Sequence, residues 1–197
     1  MPLYKADLSA GSLLPAESRI VAGLLLQGGT TSTFNHSILV DNVLQKASPA
    51  TARRQARLIK SRLETMPASI WHEIATGNKE VATQLMFAAA LKHSALLHSF
   101  VRDVVADHAR RLERTLSTHA WEPFLADCTT RDPAVAAWTD VTRRKLLQVI
   151  VRMLAEARYL ESTRSLRLLP PHINPAVVRM LSALGEHSLL LTMELKA

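Results

Sequence analysis

The stretch that most constrains the fold is residues 48–62, which read SPATARRQARLIKSR. Ser48 is a favourable N-cap residue, and Pro49 suits the first helical turn because its missing N–H would lack a partner there anyway. Apolar residues then recur at spacings of four, three and four, at Ala52, Ala56, Ile59 and Leu63. This spacing predicts a helix that buries one face and turns the opposite face to solvent.

The outer face of that helix concentrates cations near its N-terminal end, which suits a polyanionic partner. The candidate contact residues on it are Ser48, Thr51, Arg53, Arg54, Arg57 and Lys60. Most of them are expected to touch phosphates, and Arg54 is the best candidate to reach a base edge.

A second helix is predicted just before the basic one, over residues 34–46 with Thr33 as its cap. Phe34, Ile38 and Leu44 are among its apolar positions, and only residues 47–48 would separate the two helices. A helix, a tight turn and a capped basic helix form the helix-turn-helix pattern, whose second helix enters the DNA major groove. A helical hairpin with a merely solvated basic face would show the same pattern.

The excess of positive charge in the chain is concentrated in two stretches. The net charge is +7. Residues 46–64 hold six cations against one carboxylate, and residues 141–168 hold seven against two, whereas the rest of the chain has more carboxylates than cations. This distribution indicates a polyanion that is met at two sites.

The second basic stretch repeats the first arrangement. Thr139 is predicted to cap a helix whose first turns carry Arg143, Arg144 and Lys145, and the apolar residues that follow predict that only its N-terminal end is free. Residues 159–169, with Arg164 and Arg167, stand where a winged-helix protein has its wing. They would form either short strands or a basic surface loop, and a closing helix is predicted over residues 174–184.

The composition favours an all-α protein, because aromatic residues are only 5% of the chain while Ala, Leu and Arg are abundant. The middle of the chain predicts scaffold helices over 68–75, 80–91 and 94–116, the last with Leu112 on its buried face. We therefore predict a helical unit with a helix-turn-helix over 1–67, a helical scaffold over 68–130, and a second helix-turn-helix with a possible wing over 131–197.

Several classes of function are disfavoured. His93, His98 and His108 lack accompanying ligands at metal-binding spacing, and no cofactor loop or catalytic carboxylate pair is present, so neither a metal, a cofactor nor an enzymatic activity is predicted. Cys128, the single cysteine, cannot form an internal disulfide. The start of the chain does not resemble a signal peptide, and the longest apolar tract, 85–91, is too short to span a bilayer. A cytoplasmic protein is expected.

The chain resembles the BrxA family, the small core components of bacteriophage exclusion (BREX) defence systems, over nearly its whole length. The segments that carry the resemblance are LPAESR at 14–19, DNVLQK at 41–46, SPATAR at 48–53, LKHS at 91–94, WEPFL at 121–125 and LAEA at 154–157. The resemblance implies an all-helical protein that binds double-stranded DNA through two helix-turn-helix elements and works beside a methyltransferase and other proteins of the system.

Taken together, these features predict a non-enzymatic protein, monomeric on its own, whose partners are double-stranded DNA and other BREX proteins. Binding should show weak sequence preference and a steep dependence on salt, because phosphate contacts dominate. Two alternatives stay open. The basic helices could bind an acidic protein partner, which makes the chain an adaptor, or they could bind RNA.

Overall fold

The computed structural model describes residues 2–196, and its fold is all-α, as predicted. The chain divides into two compact units. The N-terminal unit is Leu13–His93, and the C-terminal unit combines the described residues before Leu13 with those after His93. The predicted boundaries after residues 67 and 130 do not coincide with the limits of these units, and the three-part division stays a prediction.

The N-terminal unit is built around a buried central helix. Its helices are α1 (Pro15–Leu26), α2 (Thr31–Leu39), α3 (Pro49–Leu63), α4 (Ala68–Thr76) and α5 (Lys79–His93). Helix α5 is buried on nearly all sides from Val81 to Leu91, and α1, α3 and α4 pack against it. Because α5 fills the core, α3 has one face on the protein and its other face in solvent.

The predicted apolar stripe of the basic helix is confirmed. Its four members, Ala52, Ala56, Ile59 and Leu63, are all buried. Helix α3 begins at Pro49 as predicted, with Ser48 in the N-cap position, but the Ser48 hydroxyl makes no capping hydrogen bond. The small side chains in the first turns let α3 approach its neighbours closely, so the larger cations are carried on the other face.

The prediction of a helix over 34–46 followed by a two-residue turn was wrong. Helix α2 ends at Leu39, its cap is Thr30 rather than Thr33, and residues 40–48 form a nine-residue connection to α3. Asn42 and Gln45 both have a positive φ, which a helix cannot contain. The Asn42 amide also donates to the Lys46 carbonyl (3.1 Å) and accepts from the Lys46 N–H (3.0 Å), so side-chain bonds replace helical ones.

The C-terminal unit is also helical. Its α-helices are α6 (Ala95–Phe100), α7 (Ala106–Arg110), α8 (Trp121–Arg131), α9 (Asp140–Glu156), α10 (Pro175–Ala183) and α11 (His187–Met193). A π-helical turn, Val101–Val105, joins α6 to α7, and short 3-10 helices lie at Ala6–Ala10, Thr118–Ala120 and Pro133–Ala137. The predicted closing helix corresponds to α10, and α11 follows it.

The helix predicted over 94–116 ends earlier, at Arg110, and Leu112 is 87% exposed instead of buried. Leu112 has a φ of 56°. The Leu112 N–H donates to the Ala109 carbonyl (3.1 Å) and the Glu113 N–H donates to the His108 carbonyl (3.0 Å). These two bonds form a Schellman motif with a leucine at the position usually held by glycine, and this motif ends the helix.

The core of the C-terminal unit surrounds α9. Phe100 packs edge-on against Trp121 and Phe124, with ring centroids 5.6 and 5.2 Å away. The Tyr159 hydroxyl donates to the Met193 carbonyl (2.6 Å), and burial raises the pKa of this phenol, so it stays protonated as a donor. Helix α9 contributes buried residues such as Ile150 and Leu154 to the core of this unit, and its opposite face is exposed to solvent.

The first residues of the chain belong to this unit as well. The Tyr4 N–H donates to Asp132 Oδ2 (2.9 Å), and the Ser12 hydroxyl donates to Glu156 Oε1 at the end of α9 (2.8 Å). The 3-10 helix Ala6–Ala10 packs on α9 between these anchors. Within residues 2–196, no helix combines the length and the apolar character needed to cross a membrane.

Candidate nucleic-acid interface

The outer face of α3 carries three arginines that are free to meet an anion. Arg53, Arg54 and Arg57 are exposed, and none of them lies within salt-bridge distance of a carboxylate in the part of the chain that the structure describes. Their spacing places them on one side of the helix, opposite Ala52 and Ala56. Ser48 is exposed and Thr51 half-buried at the start of the same helix.

Lys46 is withdrawn from this surface by an ion pair with Glu17 of α1. Both side chains are largely buried, with 23% and 16% of their surfaces exposed. Burial opposes ionisation of Glu17, but the hydrogen bond and the charge of Lys46, together with a backbone N–H, outweigh it and lower the pKa of the carboxyl. Lys46 therefore stabilises the connection before α3 and is not available to a ligand.

Two further cations of the stretch are also engaged. Lys60 lies 3.7 Å from Glu64 and 5.0 Å from the centre of the Phe34 ring, so its ammonium rests over α2. Arg62 is only 4% exposed and belongs to the interior of the unit. The free charge of the first basic stretch is thus reduced to Arg53, Arg54 and Arg57, with Lys60 half-buried beside them.

A groove lies between α2 and α3. Its volume is about 340 Å³, and its lining residues include Phe34, Ile38 and Leu39 from α2 and Arg53 and Arg57 from α3. The floor is apolar and one wall is cationic. The basic face of the N-terminal unit is therefore bordered by apolar surface.

The second basic helix, α9, starts as predicted. The Thr139 hydroxyl accepts from the Thr142 N–H (3.2 Å), which is the expected cap. Arg143 is half-buried with its guanidinium 3.7 Å from Glu122, whereas Arg144 and Lys145 are exposed. The side chain of Arg144 also reaches back to the Asp140 carbonyl (3.4 Å).

The prediction that only the N-terminal end of α9 is free was wrong. Five residues of α9 are exposed and lie three or four positions apart, which places them along one face for about three turns. They are Val141, Arg144, Lys145, Gln148 and Arg152. Val141 and Gln148 are candidate functional residues that the charge-based reading missed. A search of the sequence for residues on the face opposite the buried positions of α9 could have identified them.

Residues 159–169 contain no strand and form a hairpin-like loop whose two sides are joined by isolated backbone pairing. Isolated antiparallel bridges join Leu160 to Leu168 and Thr115 to Arg167. The Glu161 N–H donates to the Arg167 carbonyl (2.9 Å), and the Leu168 N–H donates to the Arg114 carbonyl (3.0 Å). The hairpin therefore lies between α9 and α10 in sequence and also pairs with the segment before α8.

The two predicted cations of this hairpin differ in availability. Arg167 donates to both carboxylate oxygens of Glu161, at 3.2 and 2.8 Å, and so clamps the base of the hairpin. Arg164 at the tip is exposed and has no carboxylate partner in residues 2–196. The tip is held in shape because the Ser165 N–H donates to the Ser162 hydroxyl (3.0 Å).

The histidines considered as metal ligands make structural hydrogen bonds. His98 Nε2 lies 2.7 Å from the Thr192 hydroxyl, and burial, aided by Arg102, lowers the pKa of this imidazole. His108 is buried, with Nδ1 2.8 Å from the Val104 carbonyl and Nε2 accepting from the Ser117 N–H (3.2 Å). No group of three or more possible metal ligands occurs among the described residues.

These features define the class: an all-α protein that presents an exposed basic helix in each of its two units. The BrxA family model matches residues 2–185. The chain belongs to the BrxA family.

Curated relatives agree with this assignment. The chain is 43% identical to the BREX protein BrxA of Paramagnetospirillum magneticum over 180 residues, which cover 91% of this chain and 90% of that protein. It is 34% identical to the BREX protein BrxA of Escherichia coli O9:H4, over 95% of this chain and 88% of the relative. It is 26% identical to the BREX protein BrxA of Bacillus cereus, over 93% of this chain and 92% of that relative.

A solved structure shares the whole fold. The crystal structure of an uncharacterized protein from Magnetospirillum magneticum superposes with a TM-score of 0.91 and 39% sequence identity, covering 98% of this chain and 100% of that one. The arrangement of helices described above is therefore also found in an experimental structure.

Proposed function

We propose that this protein is a non-enzymatic, double-stranded DNA-binding component of a BREX phage-defence system. The observation that carries the proposal is the pair of exposed basic faces on α3 and α9, where Arg53, Arg54, Arg57, Arg144 and Lys145 have no carboxylate partner among the described residues. Unpaired, solvated cations on rigid helices match the regular phosphates of a duplex. The protein acts as a monomer in the cytoplasm, without a cofactor, beside other BREX proteins including the methyltransferase.

At the first site, α3 is the helix that meets the duplex. Its N-terminal turns carry Ser48, Thr51 and Arg53, and the free arginines continue along the exposed side. Ser48, whose hydroxyl makes no capping bond, is available for a phosphate contact. Arg54 is the candidate for a base contact on this helix, because arginine can bind guanine through two hydrogen bonds.

At the second site, α8 and α9 act as the helix-turn-helix and the hairpin acts as its wing. Supporting this, the chain runs from a helix through the paired segment at Thr115 to α8, α9 and then the hairpin, which is the order of elements in a winged helix. Arg144 and Lys145 contact phosphates beside the groove that α9 enters, and Arg164 contacts a neighbouring phosphate from the wing.

The adaptor function is a second candidate, and the groove between α2 and α3 favours it. An apolar floor formed by Phe34, Ile38 and Leu39 beside the cations of α3 would suit an acidic segment with apolar side chains. In that case the cations of α3 would serve a protein partner, and DNA binding would be incidental.

The test is duplex binding by the full chain over a salt series. We compare the wild type with R53E/R54E and R144E/K145E, and use R110E/R111E as the matched control, because those two arginines are exposed but pair with Asp107 at 3.8 and 3.0 Å. Both site variants should lose affinity and flatten the salt slope by about 0.9 for each phosphate contact removed. The control should behave as the wild type does.

A structured RNA competitor completes the experiment. If RNA displaces duplex DNA at a lower concentration than unlabelled duplex does, the RNA-binding alternative is favoured. A wild-type salt slope near zero, or equal losses in the control variant, would contradict the DNA proposal. Loss of co-purifying BREX proteins in R53E/R54E with duplex affinity intact would establish the adaptor function instead.

A further inference from the structure

We propose that α9 reads base edges in the major groove through Val141 and Gln148, and so gives the C-terminal unit a preference for A·T base pairs. This inference rests on the proposed function but goes further, since it assigns sequence selectivity to one helix and to two uncharged residues. Neither residue contributes to the charge pattern that suggests DNA binding in the first place.

The geometry of α9 places the two residues where bases would lie. Val141, Arg144, Lys145 and Gln148 are spaced by three, one and three residues, so they share one face of the helix. Val141 and Gln148 are about 10.5 Å apart along the axis, at 1.5 Å per residue, which corresponds to about three base-pair steps of 3.4 Å. The two cations lie between them.

Val141 is a β-branched apolar residue that is 70% exposed in the first turn of α9. Single exposed apolar residues are common on proteins, so exposure alone carries no argument. The position of Val141 is the argument, because this residue precedes Arg144 and Lys145 by one turn and lies on the same face of the helix. A valine held against the major groove would contact the C5-methyl group of thymine, which is the apolar feature of that groove.

Gln148 lies one turn after the two cations, and its side chain makes no hydrogen bond within residues 2–196. Its neighbours on the exposed face are Arg144, which has no carboxylate partner among the described residues, and Arg152, whose guanidinium lies 3.8 Å from Glu156. A glutamine amide can accept from adenine N6 and donate to adenine N7 at the same time. The face thus pairs one adenine-reading and one thymine-reading side chain.

The face of α3 lacks such residues. Its exposed residues are Pro49, Ala50, Arg53, Arg54 and Arg57, so arginine is the one exposed side chain within the helix that can bond to a base edge. The difference locates A·T selectivity on α9 and predicts that α3 contributes mostly affinity.

The experiment is selection of duplexes from a random pool by the full-length wild type, followed by affinity measurement on the selected duplex. V141A and Q148A are the test variants. V40A and Q27A are the matched controls, because Val40 is 68% exposed and Gln27 is exposed at the end of α1. Uracil in place of thymine removes the methyl group, and 7-deazaadenine in place of adenine removes N7.

We expect the wild type to enrich a short motif that contains A·T pairs. Q148A should weaken binding to that motif about tenfold and lose its sensitivity to 7-deazaadenine, since a good two-bond contact contributes about 1–3 kcal/mol, or about 5- to 150-fold. V141A should lose its sensitivity to uracil. Both variants should bind scrambled duplex as the wild type does, and both controls should keep the full preference.

Two outcomes would overturn the inference alone. The wild type could bind duplexes with a steep salt slope but enrich no motif, or it could enrich a motif that V141A and Q148A recognise equally well. Either result leaves the DNA-binding function intact. If the wild type binds no duplex at all, the proposed function itself fails and the reading of bases by α9 fails with it.

Discussion

Helices α3 and α9 both expose a basic face, but the two faces are built differently. Helix α3 carries five cations and no carboxylate between Pro49 and Leu63, whereas α9 carries four cations and two carboxylates between Asp140 and Glu156. The exposed residues of α3 are three arginines, a proline and an alanine, whereas those of α9 include a valine and a glutamine beside the cations. Charge is therefore concentrated on one helix and diluted by neutral side chains on the other.

This difference in composition indicates that two basic helices in one protein can have different roles in binding. Cations alone raise affinity for any duplex and make it sensitive to salt. Neutral side chains among cations add little affinity but can distinguish bases. Under the proposed function, the N-terminal unit supplies most of the binding strength and the C-terminal unit most of the selectivity.

The largest effect is expected from removing the free charge of α3. Replacing Arg53, Arg54 and Arg57 with alanine should weaken duplex binding about 100-fold at 0.15 M salt. The slope of log affinity against log salt should flatten by about 1.8, or 0.9 for each of the phosphates that Arg53 and Arg57 contact. Filter binding or anisotropy over a salt series measures both. An alanine triple at Arg110, Arg111 and Arg179 serves as control. An equal loss of duplex affinity in that control would contradict a specific role of the α3 arginines.

The next effect tests the ion pair that supports the start of α3. Glu17→Gln should lower the free energy of unfolding by about 2 kcal/mol at pH 7, since it leaves Lys46 without its charged partner. The pKa of Glu17 is lowered in the folded state, so its stabilisation is complete above its ordinary value of 4.5 and is lost as the pH falls through the lower folded value. Urea unfolding of the wild type and of Glu17→Gln at pH 7 and pH 3 measures how much of this stabilisation is lost.

Glu64→Gln is the control for that variant. Glu64 is exposed and lies 3.7 Å from Lys60, so its loss should cost less than about 0.5 kcal/mol. The role of the Glu17–Lys46 pair would be refuted if both variants were equally destabilised, or if the effect of Glu17→Gln were as large at pH 3 as at pH 7.

A smaller effect should separate the caps of the two helices. Thr139→Ala removes a hydroxyl that accepts the Thr142 N–H, and should cost about 1 kcal/mol of unfolding free energy. Ser48→Ala should cost only a few tenths, because that hydroxyl makes no capping bond. Thermal or urea unfolding of the two variants measures both costs in unfolding free energy. Equal costs would show that Ser48 caps α3 after all.

The smallest effect concerns the hairpin. Arg164→Ala should weaken duplex binding about fivefold at 0.15 M salt, which corresponds to one phosphate contact. Arg167→Ala should weaken it less than about twofold, because its guanidinium is already bound to Glu161 at 2.8 and 3.2 Å. Anisotropy titrations resolve the two. A larger loss for Arg167 than for Arg164 would reverse the assignment of the wing contact.

Much of the N-terminal basic helix could be predicted because its signals are local. The spacing of Ala52, Ala56, Ile59 and Leu63, with Pro49 at the start, determines where α3 begins and which face it buries. In α9 the cap at Thr139 was equally readable. Period and capping operate within a few residues, so one sequence contains the whole of the information.

The failures came from interactions that the sequence does not display. Lys46 looks like part of the basic patch until α1 brings Glu17 to it from 29 residues away. Leu112 looks like a continuation of a buried stripe, but it is the left-handed residue of the Schellman motif that ends the helix. Counting charge also concealed Val141 and Gln148, since neutral residues contribute nothing to such a count. Tertiary partners and local backbone bonds override periodicity at these positions.

The placement of the first residues in the C-terminal unit has a consequence for folding during synthesis. Tyr4 bonds to Asp132 and Ser12 to Glu156, partners that lie 128 and 144 residues further along the chain. Residues 13–93 make most of their contacts among themselves, so we expect them to fold once they have left the ribosome, whereas the opening segment has to wait for α9. We expect fast formation of the N-terminal unit and slower completion of the C-terminal one, because distant contacts form late.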